Sequence, residues 1–346
     1  MSLNYKSAGV NIDAGNEVVE RIKGDVKATF SPAVLTGIGS FGSFFDLSDL
    51  LTGYKNPVLV QSIDGVGTKM IVARMLGRFD TIGHDLVSAC VNDIIVHGAR
   101  PLTFLDYIAN DRLNPDIVEQ IVGGMAKACK GIGVSLVGGE TAEMPDTYRR
   151  GELDLVGVIA GVVEKERIVN GAGICPGDVI IGVNSSGLHT NGYSLARKLF
   201  FEAGGYAAED FHPRLNETVG DALLKPHINY ANLVLALLDA GIVVKGMAHI
   251  TGGGLPENLP RILPENCRAV IRKSAWEVPE IFRTMQQIGD IPDHEMYRTF
   301  NMGIGLIFVV TAEVAGTLKT FIAENSDLQI FDLGMIQEGR PGVEFS

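Results

Sequence analysis

The sequence predicts a mixed α/β (α+β) chain in two domains. Three observations carry this. The length, 346 residues, exceeds what a single hydrophobic core usually serves. Apolar strand-like runs alternate with helix-period segments in both halves. Between residues 163 and 177 the pattern breaks: 164–169 is charged, 170–173 is turn-rich, and Pro176-Gly177-Asp178 is a sharp turn. A boundary there gives domains 1–168 and 169–346.

In the first half, residues 15–27 carry Val18, Val19, Ile22 and Val26 at helical spacing. Residues 57–63 (PVLVQSI) read as a buried strand running into Asp64. Residues 81–98 read as a long helix, with Ile82, Leu86, Val87, Cys90, Ile94 and Ile95 recurring at three and four; His84 and Asp85 lie two turns before Asn92 and Asp93. Residues 101–109 form a strand and 115–131 a helix that opens on Pro115, whose missing N–H costs nothing in a first turn. Residues 134–137 form a strand ending in Gly138-Gly139-Glu140-Thr141, and 153–163 another strand. In the second half, strands are expected at 179–183, 269–271 and 304–310, and helices at 191–203, 227–240 and 278–288. Residues 312–346 carry no motif with chemical meaning, and no fixed-period repeat occurs.

Composition narrows the function. With 46% hydrophobic and 20% charged residues the chain is an ordinary folded protein, and its net charge of −12 argues against a broad nucleic-acid footprint. No apolar run reaches the roughly 20 residues that span a bilayer, and residues 1–13 lack the apolar core of a signal peptide. No two of the four cysteines form a CxxC pair, as expected for reduced thiols in a cytoplasmic protein.

The chemistry lies in the loops. Asp64-Gly65-Val66-Gly67-Thr68-Lys69 combines a carboxylate, bare backbone, a hydroxyl and an ammonium at a strand end. These groups suit magnesium and a nucleotide triphosphate. The plain alternative is a tight turn with an exposed Asp and Lys; Asn92-Asp93 and Gly98-Ala99 weigh against it by adding a second carboxylate and a second small-residue turn. Gly138-Gly139-Glu140-Thr141 repeats the design, so Asp64, Asp93 and Glu140 are candidate magnesium ligands. Gly65, Gly67, Thr68, Lys69, Gly98, Glu140 and Thr141 are candidate ATP contacts. Gly37 to Gly42 matches GxGxxG, but no buried strand leads into it, so it reads as a flexible loop rather than a dinucleotide site. In the second half, Ser185 to Gly192 opens a helix with Ser, His, Thr and Asn, a polar-ligand site or a simple N-cap. His249-Ile250-Thr251-Gly252-Gly253-Gly254 reads as a bare-backbone cradle, since three consecutive glycines lose much chain entropy on folding. His294 to Asn301 gathers His, Glu, Arg and Asn, or is a solvated polar loop. There is no HExxH and no GxxxxGK[ST].

Together these loops resemble the aminoimidazole ribonucleotide synthetase (phosphoribosylformylglycinamidine cyclo-ligase) family. The resemblance rests on DGVGTK at 64–69, D-x4-G-A-x-P at 93–101, GGETAEMP at 138–145, SSGLHTNGYSL at 185–195, HITGGG at 249–254, HEMYRTFN at 294–301 and the opening Tyr5 to Gly15. It implies an N-terminal sheet that forms a barrel with a second subunit in a homodimer, and a C-terminal sheet covered by helices that completes a long cleft. It implies ATP and Mg2+ as cofactors and a small ribonucleotide as substrate. Asp64, Lys69, Asp93 and His249 are then the expected catalytic residues. His189, Thr190, Asn191, Thr251, Gly252, Gly253, Gly254 and Arg298 are expected to bind substrate. The base is not singled out among His249, His189 and His294. The alternative is a small-molecule kinase of the same ATP-binding superfamily.

Overall fold

The computed structural model describes residues 9–346, so the Tyr5 to Ala8 part of the opening motif lies outside the described residues. The chain divides into two compact units. One comprises Met1–Ile94 and Arg100–Glu166, the other Ile95–Ala99 and Arg167–Ser346. Among the described residues no helix is long and apolar enough to cross a membrane. All four cysteines are free thiols.

The first unit holds strands β1 (Pro57–Gly65), β2 (Arg100–Asn110), β3 (Ser135–Glu143) and β4 (Leu153–Glu164) in the order β1-β4-β2-β3. β4 runs antiparallel to β1 and β2, while β2 and β3 are parallel. A parallel pair needs a long crossover, and helix α4 (Pro115–Gly131) supplies it. Asn114 caps α4 by accepting the Asp116 N–H at 3.0 Å. Helices α1 (Ile12–Lys27), α2 (Lys69–Leu76) and α3 (Ile82–Ile95) complete the unit.

One face of this sheet is packed and the other open. On β4, Leu155, Gly157, Ile159 and Gly161 are buried while Val156, Val158 and Ala160 are half-buried. An added Cβ on Gly157 would run into the Phe104 ring and come to 2.9 Å of Leu86 on α3, so its face is the helix-covered one. On the other face Ile63 pairs with Val158, and Val158 with Leu105. Ile63 is 67% exposed, Leu59 63% and Leu105 41%.

The second unit holds a six-stranded sheet. Its strands are β5 (Val179–Asn184), β8 (Gly246–His249), β9 (Cys267–Ile271), β10 (Ile304–Val310), β11 (Ile330–Glu338) and β12 (Val343–Phe345), in the order β12-β9-β11-β5-β10-β8. A short hairpin, β6 (Phe211–His212) and β7 (Glu217–Thr218), stands apart. Every residue of β10 is buried, as a continuous apolar run requires when both faces are covered. Helices α5 (Tyr193–Arg197), α6 (Val219–Leu224), α7 (Ala231–Asp239), α8 (Gly254–Asn258), α9 (Glu280–Gly289), α10 (Asp293–Thr299) and α11 (Ala312–Asn325) complete it.

Two expectations are corrected. β3 does not stop at Val137 but runs through the glycines to Glu143, because β2 offers a partner as far as Asn110. The helix expected at 227–240 starts at Ala231: Asn229 accepts the Ala231 N–H at 3.0 Å and opens the helix there, leaving His227 in a loop. The stretch 312–346 contains α11 and two strands of the second sheet.

Candidate active site

In the first unit, Asp64 pairs across the sheet with Gly157, Gly157 with Asp106, and Asp106 with Gly139. Directly opposed residues share a face, so Asp64 and Asp106 lie on the helix-covered side. Asp93 comes from α3 and accepts a hydrogen bond from Ser62 Oγ at 3.1 Å. Cys90, one turn earlier, lies near both carboxylates. Burial pushes its thiol well above the ordinary range, and the negative charges of Asp64 and Asp93 push it further. Two half-buried carboxylates from a strand end and a helix therefore converge beside the turn at Gly65 to Thr68. Hard oxygen ligands next to bare amides fit a magnesium ion carrying phosphates. Gly67 has φ +52° and is exposed, whereas Val66 is buried and holds the turn down.

Lys69 differs from its expected display. It opens α2 but points inward: its Nζ is 2.7 Å from Asp85 Oδ2, and neither side chain has any solvent exposure. Burial lowers the Lys69 pKa, and the Asp85 charge opposes that shift. Behind the pair, burial and the Lys69 charge lower the pKa of His84. Gly67, rather than the ammonium, is the part of this turn that faces outward.

Glu140 is also placed apart. It pairs with Tyr107 in the row next to Asp106, on the opposite face from Asp64. Three inter-strand steps of about 4.8 Å separate β3 from β1, so within the chain Glu140 does not share an ion with Asp64. Thr141 pairs with Ile108 on the covered face. Gly98 belongs to the second unit; its φ is +79°, and an added Cβ would come to 3.2 Å of the Arg167 carbonyl. Asp106 carries no motif of its own. Burial raises its carboxyl to about 7; burial also raises the pKa of Cys129, and the Asp106 charge adds to that shift.

In the second unit the loops do converge. His189, Thr190 and His249 are buried, and a Cβ on Gly252 would come to 3.3 Å of Asn191 Oδ1. His189 sits in the left-handed region at φ +61°, where a non-glycine residue carries strain. Its Nε2 accepts the Ser186 N–H at 3.2 Å. Gly305 backs it: any Cβ there would collide with the Tyr230 hydroxyl, which donates to the Asn184 carbonyl at 2.7 Å.

His227, which the motifs do not include, stands at the centre. It has no exposure and stacks on His189 at 3.9 Å, with 19° between the rings. Its Nε2 lies 3.1 Å from His249 Nε2, and its Nδ1 lies 3.4 Å from Thr190 Oγ1. Reading 227–240 as one helix hid it.

Two asparagines hold the loops. Asn301 Nδ2 donates to the Gly187 carbonyl at 2.9 Å, and its Oδ1 accepts from Ser185 Oγ and the Gly303 N–H. Asn258 Nδ2 bridges the carbonyls of Thr251, Gly252 and Gly254. Gly254 has φ +58°, and a Cβ there would run into the Tyr297 carbonyl. Arg298 is exposed and pairs with Glu257 at 2.6 Å; His294 is exposed.

Family models match both halves. The N-terminal domain of AIR synthase related proteins matches residues 50–163, and the C-terminal domain matches 175–344. A phosphoribosylformylglycinamidine cyclo-ligase of Caldanaerobacter subterraneus is 48% identical over 341 residues, covering 99% of each chain. The chain belongs to the AIR synthase family, among the phosphoribosylformylglycinamidine cyclo-ligases. Relatives of that name from Carboxydothermus hydrogenoformans and Thermoanaerobacter pseudethanolicus are 50% and 51% identical, over 99% and 89% of this chain and 98% and 90% of theirs. Solved structures share the AIR synthase fold at lower identity. A thiamine-monophosphate kinase from Stenotrophomonas maltophilia superposes with a TM-score of 0.70 at 20% identity, covering 95% of this chain and 96% of that one. The hydrogenase maturation protein HypE in complex with ATP gives 0.66 at 19%, covering 96% and 91%.

Proposed function

We propose that this chain catalyses the reaction that names its family. Formylglycinamidine ribonucleotide and ATP give aminoimidazole ribonucleotide, ADP and phosphate, in the cytoplasmic synthesis of purines. The observation that carries this is identity near one half with cyclo-ligases over 99% of this chain.

An amide oxygen is a poor leaving group. Phosphoryl transfer from ATP to the formyl oxygen turns it into a phosphate ester. The amidine nitrogen of the same molecule then attacks that carbon. The new C–N bond closes the five-membered ring, the C–O bond breaks with its electrons leaving on phosphate, and the nitrogen gives up a proton. Closure is intramolecular, so the protein's task is to hold the folded conformer and keep water out.

Asp64 and Asp93 take magnesium, which when bound neutralises charge on the phosphates. The Gly65 and Gly67 amides cradle phosphate oxygens, while Lys69, locked on Asp85, anchors the turn that presents them. Thr190, Asn191 and the Thr251 to Gly254 backbone hold the ribonucleotide, and His249 accepts the amidine proton. The open face of Leu59, Ile63 and Leu105, next to the unpaired edge of β1, supports a homodimer in which a second copy covers it.

Incubation with ATP, magnesium and formylglycinamidine ribonucleotide tests the reading. Ring closure with free phosphate supports it; a stable phosphorylated product points to a kinase.

A further inference from the structure

The histidine cluster of the second unit constrains its own protons. Two ring nitrogens 3.1 Å apart, His227 Nε2 and His249 Nε2, form a hydrogen bond only if one carries the proton and the other the lone pair. A neutral imidazole has one of each, so this bond ties the tautomers of the two rings together. His227 Nδ1 faces Thr190 Oγ1, which can accept as well as donate. The ring itself has no freedom to turn: it is fully buried and stacked on His189.

The three rings stand close enough together to hold a cation, and the proton pattern is the competing reading of the same contacts. Such a site needs a lone pair from each ring. His189 Nε2 already accepts the Ser186 amide, and the lone pair shared between His227 and His249 is spent on their mutual bond.

We propose that His227 is a positioning residue for His249. It accepts the His249 Nε2–H while donating its own Nδ1–H to Thr190, so that His249 carries its lone pair on Nδ1. When His249 takes the amidine proton, the positive imidazole that forms keeps a neutral, aligned acceptor on Nε2. His227 thus does for His249 what a third group does for the base in a nucleophile–base pair: it fixes orientation and tautomer and steadies the charge that develops. The same loop placement ties Thr190, a substrate-binding candidate, to the base through one ring. The proposal rests on the cyclo-ligase reading above.

Three variants and one spectrum test it. His227→Phe keeps a flat ring of similar size on His189 and removes both nitrogens. His227→Gln keeps an oxygen able to accept from His249. Histidine-selective 15N NMR reads the tautomer of His249 directly, its signal assigned with His249→Asn among the seven histidines. The expected result is a His227→Phe protein that folds as the wild type, keeps KM for the ribonucleotide within about twofold, and loses at least about tenfold in kcat. His249 should pass from one tautomer to a mixture, and His227→Gln should recover part of both. Wild-type kcat in His227→Phe, an unchanged His249 tautomer, or equal losses in the Phe and Gln variants overturns the proposal. So does stoichiometric zinc in the purified wild type that His227→Phe loses, since His227 would then be a ligand. If the wild-type chain closes no ring, the cyclo-ligase reading falls, while the tautomer spectra still decide whether His227 sets His249.

Discussion

Lys69 Nζ lies 2.7 Å from Asp85 Oδ2 with neither side chain exposed to solvent. A residue whose motif suggests a displayed phosphate contact is instead a buried half of an ion pair that joins the first turn of α2 to the first turn of α3.

That pairing predicts an asymmetry. Asp85→Asn leaves an ammonium buried without its counter-charge and should cost about 3–5 kcal/mol. Replacing both partners together, Lys69→Met with Asp85→Leu, should recover most of that. Urea unfolding midpoints of the two variants check this; equal loss in both contradicts it.

Asp93→Asn should leave the fold intact and reduce ATP-dependent turnover by a factor of about 100 or more, because one of the two carboxylates proposed to hold magnesium is lost. Circular dichroism and a coupled ADP assay check the two halves of the statement. Wild-type turnover with unchanged magnesium dependence refutes the assignment.

Asp106 supplies a pH signature. Burial raises its folded-state carboxyl to about 7, against about 3.9 in an unfolded chain. Between those values the folded state holds a proton that the unfolded state has released, so stability falls as pH rises through this window. Above about pH 7 the full cost is present. Asp106→Asn should therefore melt higher than the wild type at pH 8, with a flatter dependence between pH 4 and 7. Thermal melts across that range decide it.

Gly254 and Gly252 separate backbone need from ligand contact. Gly254→Ala meets the Tyr297 carbonyl in a left-handed conformation and should lower the melting temperature by several degrees. Gly252→Ala meets only Asn191 Oδ1 at 3.3 Å, so it should fold normally and raise KM for the ribonucleotide. Melting curves and steady-state kinetics on both variants distinguish the two roles.

Ile63→Asp places a charge in the middle of the open apolar row of the first sheet. It should convert the proposed homodimer to a monomer in light scattering without unfolding the unit, since 67% of the residue is exposed in the single chain.

Much of this was legible in the sequence because burial leaves a period. The helix Pro115–Gly131 and the strand Ile304–Val310 stand where their apolar spacing puts them. Asp64 and Asp93 were singled out by residue type near two small-residue turns, and the fold sets both near Cys90. What was not legible depends on contacts distant in sequence. β3 continues through Gly138 and Gly139 only because β2 pairs with it. Lys69 turns inward only because α3 brings Asp85. His227 has no motif, and its meaning comes from rings 38 and 22 residues away.

The central claim is that the formyl oxygen leaves as phosphate. Substrate carrying 18O in the formyl group, turned over with unlabelled ATP, tests it most directly by mass spectrometry of the released phosphate. The account predicts one labelled oxygen in the phosphate for each aminoimidazole ring formed. Unlabelled phosphate with the label in water, or a labelled phosphoryl group retained on an uncyclised product, would contradict it.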